Sequence, residues 1–150
     1  MVKVADYITL ERIVFFKKGC KKENIINKLT ELVATSDKVN NKESFKKDIW
    51  ERETLMSTGI GLGIAIPHAR SEYIKDIVIA IGISKESIDF DSIDGKPVNY
   101  IIMIAANKDQ HKEYLQILAK VALVLKSKKK REKIMNSESI EDIYHIFNKI

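Results

Sequence analysis

The sequence predicts an α/β fold, a mixed central β-sheet flanked by helices, in a single domain over residues 1–150. Three observations carry that expectation. Residues 77–83, I-V-I-A-I-G-I, and residues 98–105, V-N-Y-I-I-M-I-A, are near-continuous apolar runs of strand length, the composition of strands covered on both faces. Between them lies Asp94-Gly95-Lys96-Pro97, a turn by residue type, which makes the two strands candidates for antiparallel neighbours. Segments with helical periodicity stand on both sides of this pair, so helices are available to cover the sheet.

In chain order, Ile13-Val14-Phe15-Phe16 reads as a short strand. From Lys22 to Ala34, apolar residues recur at Ile25, Ile26, Leu29, Leu32 and Val33, the spacing of an amphipathic helix. Asn40 or Asn41 is placed to cap a second helix carrying Phe45, Ile49, Trp50 and Leu55. A strand at Ile64–Ile66 follows a glycine-rich stretch. Beyond the two long strands the chain is helical. Leu115, Leu118, Ala119, Ala122, Leu123 and Leu125 mark one face of a helix starting after Asp109. Ile134 and Met135 mark a short helix, and Ile140, Ile143, Ile146 and Phe147 a last one. No internal repeat or low-complexity linker interrupts this order.

Composition narrows the function classes. Hydrophobic residues at 45% and charged residues at 31% are ordinary for a soluble globular protein. No apolar stretch reaches the roughly 18 to 20 residues that span a bilayer, and the N-terminus lacks the apolar core of a signal peptide. Cys20 is the one cysteine, which excludes an internal disulfide framework and a cysteine-based metal site. A cytoplasmic protein is the expectation. The formal charge of +5 comes largely from lysines, in K-K-G-C-K-K at 17–22 and K-S-K-K-K-R-E-K at 126–133. With few arginines and no interleaved aromatics, these runs read as solvated surface rather than as a nucleic-acid interface.

Residues 57–70, S-T-G-I-G-L-G-I-A-I-P-H-A-R, hold the strongest chemical signal. The glycines spell G-x-G-x-G, not G-x-G-x-x-G, and no Gly-Lys-Ser/Thr follows, so both nucleotide fingerprints fail. Some of these glycines serve a turn that approaches another backbone closely. Pro67 fixes its own φ and lacks an N–H, so Ile66-Pro67-His68 breaks regular structure and presents His68 on a rigid edge. His68 has no H-x-H or H-x-x-x-H companion for a metal, and no G-x-S-x-G serine to serve as base. As a nucleophile, its imidazole would accept and release a phosphoryl group without metal or nucleotide. An inert side chain is the alternative for any lone histidine.

The segment Glu53–Ala69, E-T-L-M-S-T-G-I-G-L-G-I-A-I-P-H-A, resembles the phosphorylation-site signature of fructose/mannitol-type enzyme IIA proteins of the bacterial phosphoenolpyruvate-dependent sugar phosphotransferase system. Glu53, Ile60-Gly61, Ile64-Ala65-Ile66-Pro67-His68 and Ala69 occupy the signature positions without departure. The likeness extends over the chain, through Arg52-Glu53, Ser57-Thr58-Gly59, the strands of 77–105, and His111 opening a leucine-rich helix. It implies a mannitol-specific IIA-like fold with His68 as phosphoacceptor. His68 would take its phosphoryl group from the phosphocarrier protein HPr and pass it to a IIB domain, with the membrane component IIC acting indirectly. It also implies that Arg52 and His111 surround the phosphohistidine, and that no nucleotide or metal cofactor takes part. A nitrogen-regulatory IIA, signalling by its phosphorylation state, shares fold and motif and stands as the alternative.

Physical chemistry agrees with these implied roles. Arg52 presents a planar fork suited to phosphate; a surface ion pair with Glu53 or Asp48 is the competing reading. His111 falls in the first turn of a helix capped by Asp109, where anions are attracted and an imidazolium is disfavoured. It is read there as a neutral donor, against the alternative of an ordinary exposed histidine. His145 and Cys20 are read as uninvolved, and Asp109 and Glu53 as local capping or pairing carboxylates.

Overall fold

Alternation within the two long strands sorts the helices into two layers. The computed structural model describes residues 2–150. Two 3-10 turns (Val4–Tyr7 and Leu10–Arg12) precede β1 (Ile13–Phe16), α1 (Lys22–Ala34) and α2 (Lys42–Leu55). Three short strands follow, β2 (Gly59–Gly61), β3 (Ile64–Ala65) and β4 (His68–Arg70), and then the long pair β5 (Val78–Ile88) and β6 (Val98–Ala106). The chain closes with α3 (His111–Lys126), α4 (Lys128–Asn136) and α5 (Ile140–Phe147). In β5, Ile79, Ile81 and Ile83 join the core beneath α3, α4 and α5, while Val78 and Ala80 join the one beneath α1 and α2. In β6, Tyr100, Ile102 and Ile104 face the first core, and Ile101, Met103 and Ala105 the second. A period of two, apolar at every position, is what a doubly covered strand requires.

The six-stranded sheet has the order β1-β5-β6-β3-β2, with β4 also paired to β6. β5 and β6 are antiparallel, β1 is parallel to β5, and both β3 and β4 are parallel to β6. The sheet is therefore mixed, as the sequence predicts. Asn41 rather than Asn40 caps α2, its side chain accepting from the Ser44 amide at 3.0 Å. Fully buried Phe45 and Ile49 tie α2 to the sheet. Removal of either large side chain is worth about 2–5 kcal/mol by the usual cost of a core cavity.

Several expectations shift. β5 extends to Ile88 because Lys85, Glu86 and Ser87 continue the strand while exposed, giving no apolar signal. The glycine stretch is a hairpin, β2 against β3, turning at Gly61-Leu62-Gly63 with φ of 103°, 58° and 76°. Glycine relieves the outer two positions of the left-handed penalty. A Cβ on Gly59 would lie 2.1 Å from Ser92 Oγ, so this glycine does serve a close approach. Leu55, Leu115 and Leu123 sit on the exposed side of their helices rather than the buried one. The apolar stripe of each helix is wider than the face the sheet covers.

Candidate functional site

Pro67 makes the central irregularity. β3 and β4 run along β6 in one register, with Ile64 opposite Tyr100 and His68 opposite Ile104. They are one parallel strand interrupted at Ile66-Pro67. Pro67 has no N–H to give, but its carbonyl accepts from the Ile104 amide at 3.0 Å and so keeps the register. The Ile66 amide donates the other way, to the Thr58 carbonyl at 3.0 Å. The Ile66 carbonyl lies 2.6 Å from Nδ1 of His68.

That contact decides the tautomer. A carbonyl oxygen only accepts, so Nδ1 carries the proton and the neutral ring keeps its lone pair on Nε2. Burial holds the His68 pKa below its ordinary value, and the Arg52 cation acts in the same direction. The Ile66 hydrogen bond and the Glu53 charge oppose this without reversing it. Because Ala69 faces the α1–α2 core, His68 faces the other side of the strand. There its ring lies 5.6 Å from the Tyr114 ring of α3, at an interplanar angle of 47°. Burial pushes the Tyr114 hydroxyl far above its ordinary range, so it stays a neutral donor.

A cleft of about 460 Å³ opens at this edge of the sheet, between the end of α2 and the start of α3. Arg52, His68 and His111 all line it, so the three residues singled out in the sequence come together. Arg52, in the last turn of α2, donates from Nη1 to the Met56 carbonyl at 2.8 Å. It makes no ion pair with either expected carboxylate. Glu53 pairs with Lys22 at 2.7 Å, and Asp48 accepts from Ser71 Oγ at 2.6 Å. The guanidinium therefore retains donors for an anion.

His111 is the first residue of α3 and is exposed. Asp109 does not cap this helix. Gln110 holds the cap position without a side-chain cap bond. Asn107 has already formed the local turn, accepting the Asp109 amide on Oδ1 at 2.9 Å. Gln110 Nε2 is drawn to Asp76 at 2.6 Å. The first amides of α3 consequently stand without a side-chain cap beside His111, the arrangement that favours an anion.

Sequence reasoning did not single out Tyr114, Arg70 or Lys108, which also line the cleft. Arg70 follows His68 by two residues on one strand, and Tyr114 follows His111 by three on one helix. Both spacings place residues on a shared face and were the available signals. His145 is exposed on α5, away from the cleft, and Cys20 packs half-buried against the α1–α2 core. A second, apolar groove is lined by Met56, Ile60, Ile66, Ile93 and Leu118, and it shares Arg52 and His68 with the cleft. Among the described residues no helix is long and apolar enough to cross a membrane. Among them, too, no three His, Cys, Asp or Glu side chains are grouped to hold a metal ion.

A mixed sheet holds a backbone-tethered histidine in a cleft of mixed charge, where Arg52, Arg70 and Lys108 stand among Asp48, Glu51 and Glu72. Residues 6–150 match the family described as phosphoenolpyruvate-dependent sugar phosphotransferase system, EIIA 2, and the chain belongs to that family. It is 33% identical over 147 residues to the fructose-specific EIIABC component of Bacillus subtilis, covering 98% of this chain and 23% of that protein. It thus spans about a quarter of that relative. The fructose-specific EIIA component of Haloferax volcanii is 30% identical, with 98% and 96% covered. The crystal structure of nitrogen regulatory protein IIA-Ntr from Neisseria meningitidis superposes with a TM-score of 0.86 at 29% identity, with 96% and 98% covered.

Proposed function

We propose that this chain is a phosphocarrier that accepts a phosphoryl group from HPr on His68 and passes it to a IIB domain for uptake of a fructose- or mannitol-class sugar. The membrane component IIC acts downstream of IIB. The observation that carries this reading is the Nδ1–H bond to the Ile66 carbonyl, which leaves Nε2 unprotonated beside Arg52. In the transfer, the Nε2 lone pair forms the new bond to phosphorus. The donor's bond to phosphorus breaks, and its electron pair stays on the donor. No proton has to leave Nε2, because it carries none. The positive charge that develops on the ring is stabilised by the carbonyl that Nδ1–H already contacts.

The remaining work is positioning and charge stabilisation on three phosphoryl oxygens. Arg52 offers its planar fork, and His111 a ring donor beside the positive end of α3. The apolar groove next to His68 offers a docking surface for a carrier protein. The fructose-specific relatives favour uptake, and the name of one joins components A, B and C in a single protein.

The likeness to IIA-Ntr favours a second reading, in which the phosphorylation state of His68 governs binding to regulatory targets. A relay from phosphoenolpyruvate through enzyme I and HPr, followed by addition of IIB proteins, separates the two. Discharge to a fructose-class IIB supports uptake. A phosphoprotein that no IIB discharges supports regulation. Absence of label on His68 overturns both.

A further inference from the structure

Behind the strand that carries His68, a buried carboxylate, Glu53, pairs with the partly exposed Lys22, and neither has a part in the chemistry described so far. Glu53 is only 5% exposed, and its Oε1 lies 2.7 Å from Lys22 Nζ of α1. The same oxygen accepts the Thr58 amide at 3.1 Å. Lys22 also donates to the Phe90 carbonyl at 3.2 Å and sits 4.7 Å from the centre of the Phe90 ring. Ser57 Oγ donates to that same carbonyl at 2.8 Å and accepts the Gly59 amide at 3.1 Å. Residues 57–59 are therefore clasped from two sides at once.

The clasp has one outlet toward the site. The Thr58 carbonyl accepts the Ile66 amide, and the Ile66 carbonyl holds the His68 ring. Two residues, Thr58 and Ile66, and three hydrogen bonds link the buried carboxylate to the imidazole. From this continuous path we infer that the Lys22–Glu53 pair is a positioning device, fixing Thr58 and through it the Ile66 carbonyl that sets the tautomer and orientation of His68. A pair of this kind is a poor source of net stability, since desolvation of the buried carboxylate offsets much of the attraction. It does impose a defined geometry on whatever it contacts. Glu53 Oε2 is buried without a hydrogen-bond partner, so the carboxylate is held by one oxygen while the other is left unsatisfied. Such an arrangement is costly for a residue that serves stability alone.

The inference deepens the reading of His68 as phosphoacceptor, and its test is built to fail separately from that reading. The tautomer of His68 is measured by long-range proton–nitrogen NMR correlation, without any phosphodonor, in the wild type, Glu53→Gln, Glu53→Ala and Lys22→Met. The wild type is expected to show the proton on Nδ1. Glu53→Ala, which removes the Thr58 acceptor, is expected to give a mixture of Nδ1–H and Nε2–H forms. Glu53→Gln keeps an amide oxygen for Thr58 and should restore most of the wild-type signal. Lys22→Met leaves the carboxylate without its cation and should give an intermediate mixture.

In the HPr-driven reaction, Glu53→Ala is expected to lose roughly tenfold to a hundredfold in rate at saturating HPr, the scale of a lost charge-assisted bond. Its KM for HPr should be unchanged. The titration of His68 is recorded alongside, since Arg52 and Glu53 of α2, Arg70 of its own strand and Tyr114 and His111 of α3 all face or neighbour the ring. A wild-type His68 protonated on Nε2, or a folded Glu53→Ala with the wild-type tautomer and rate, overturns the inference. If Glu53→Ala does not fold, Glu53→Gln and Lys22→Met carry the test by the same tautomer signal. A wild type that HPr never labels would overturn the acceptor role while the tautomer series still decides the positioning claim.

Discussion

Nδ1 of His68 lies 2.6 Å from the carbonyl oxygen of Ile66, two residues earlier in the chain. Ile66 and Pro67 lie between β3 and β4, so the Ile66 carbonyl is not aimed at a neighbouring strand as it would be in an intact ladder, and it takes the ring instead. The product of HPr-dependent phosphorylation is therefore expected to carry one phosphoryl group, on Nε2 of His68. Intact-mass analysis should show one acid-labile addition in the wild type and none in His68→Ala. Undiminished labelling of the variant would remove His68 from the chemistry.

The depressed pKa of His68 fixes the pH behaviour. Burial favours the neutral ring in the folded state, while the unfolded chain titrates near the usual value of about 6.5. Below that value the unfolded state binds more protons, so stability falls as the pH drops from about 6.5 toward the lower folded pKa. Above it the contribution is constant. Phosphoryl acceptance should stay flat through neutrality and decline only once the folded pKa is approached. Rate profiles and denaturation midpoints between pH 4 and 8, compared with His68→Gln, check both halves. A rate that already halves near pH 6.5 would show that the ring is not held neutral.

Arg52→Lys should not behave as a conservative change. Lysine keeps the charge but loses the planar fork, one arm of which is anchored on the Met56 carbonyl. A charge-assisted contact is worth roughly 1.5–3 kcal/mol, which is about tenfold to a hundredfold in rate if it acts on the transition state. Circular dichroism should report an unchanged fold. An unchanged transfer rate would return Arg52 to the surface.

Much of this was legible in the sequence, for identifiable reasons. β5 over residues 78–83 and β6 over residues 100–106 announce themselves because both faces are covered there, so the run is apolar without a break. His68 was legible because proline next to histidine is a local, covalent signal. β2 and β4 were not, since strands of three residues carry no periodicity. Tyr114 and Lys22 were hidden for another reason: what they touch is decided by packing between elements distant in sequence. The Asp109 cap failed because Asn107, two residues earlier, had taken the local turn. Leu55 and Leu115 share the helical spacing of their apolar neighbours yet are exposed, because spacing does not show how much of an apolar stripe the sheet will cover.

His111→Ala should fold normally, since the residue is exposed at the first position of α3 and makes no packing contact with either core. Substitutions at such positions usually alter stability by less than about 0.5 kcal/mol. The variant is nevertheless expected to relay phosphate more slowly in at least one direction, because the cleft loses a donor near the phosphoryl oxygens. Single-turnover transfer from phosphorylated HPr, and back to it, reads the two directions separately. Wild-type rates in both would make His111 a bystander.

The exposed apolar residues around His68 give the last prediction. Met56, Ile60 and Ile93 are 59%, 49% and 68% exposed and line the groove that ends at Arg52 and His68. A partner seated on this groove would cover them and reach His68 at its end. Ile60→Asp and Ile93→Asp should therefore raise the KM for HPr by roughly tenfold or more, as loss of a central apolar anchor does at other interfaces. Transfer at saturating HPr should change little, because neither side chain lines the cleft that brings Arg52, His68 and His111 together. In an NMR titration with HPr, the largest shifts are expected at 56–62, 66–70 and the exposed side of α3. If shifts concentrate instead on the lysine-rich segment 126–133, and Ile60→Asp keeps the wild-type KM, the groove is not the docking surface and charge alone brings the partner in.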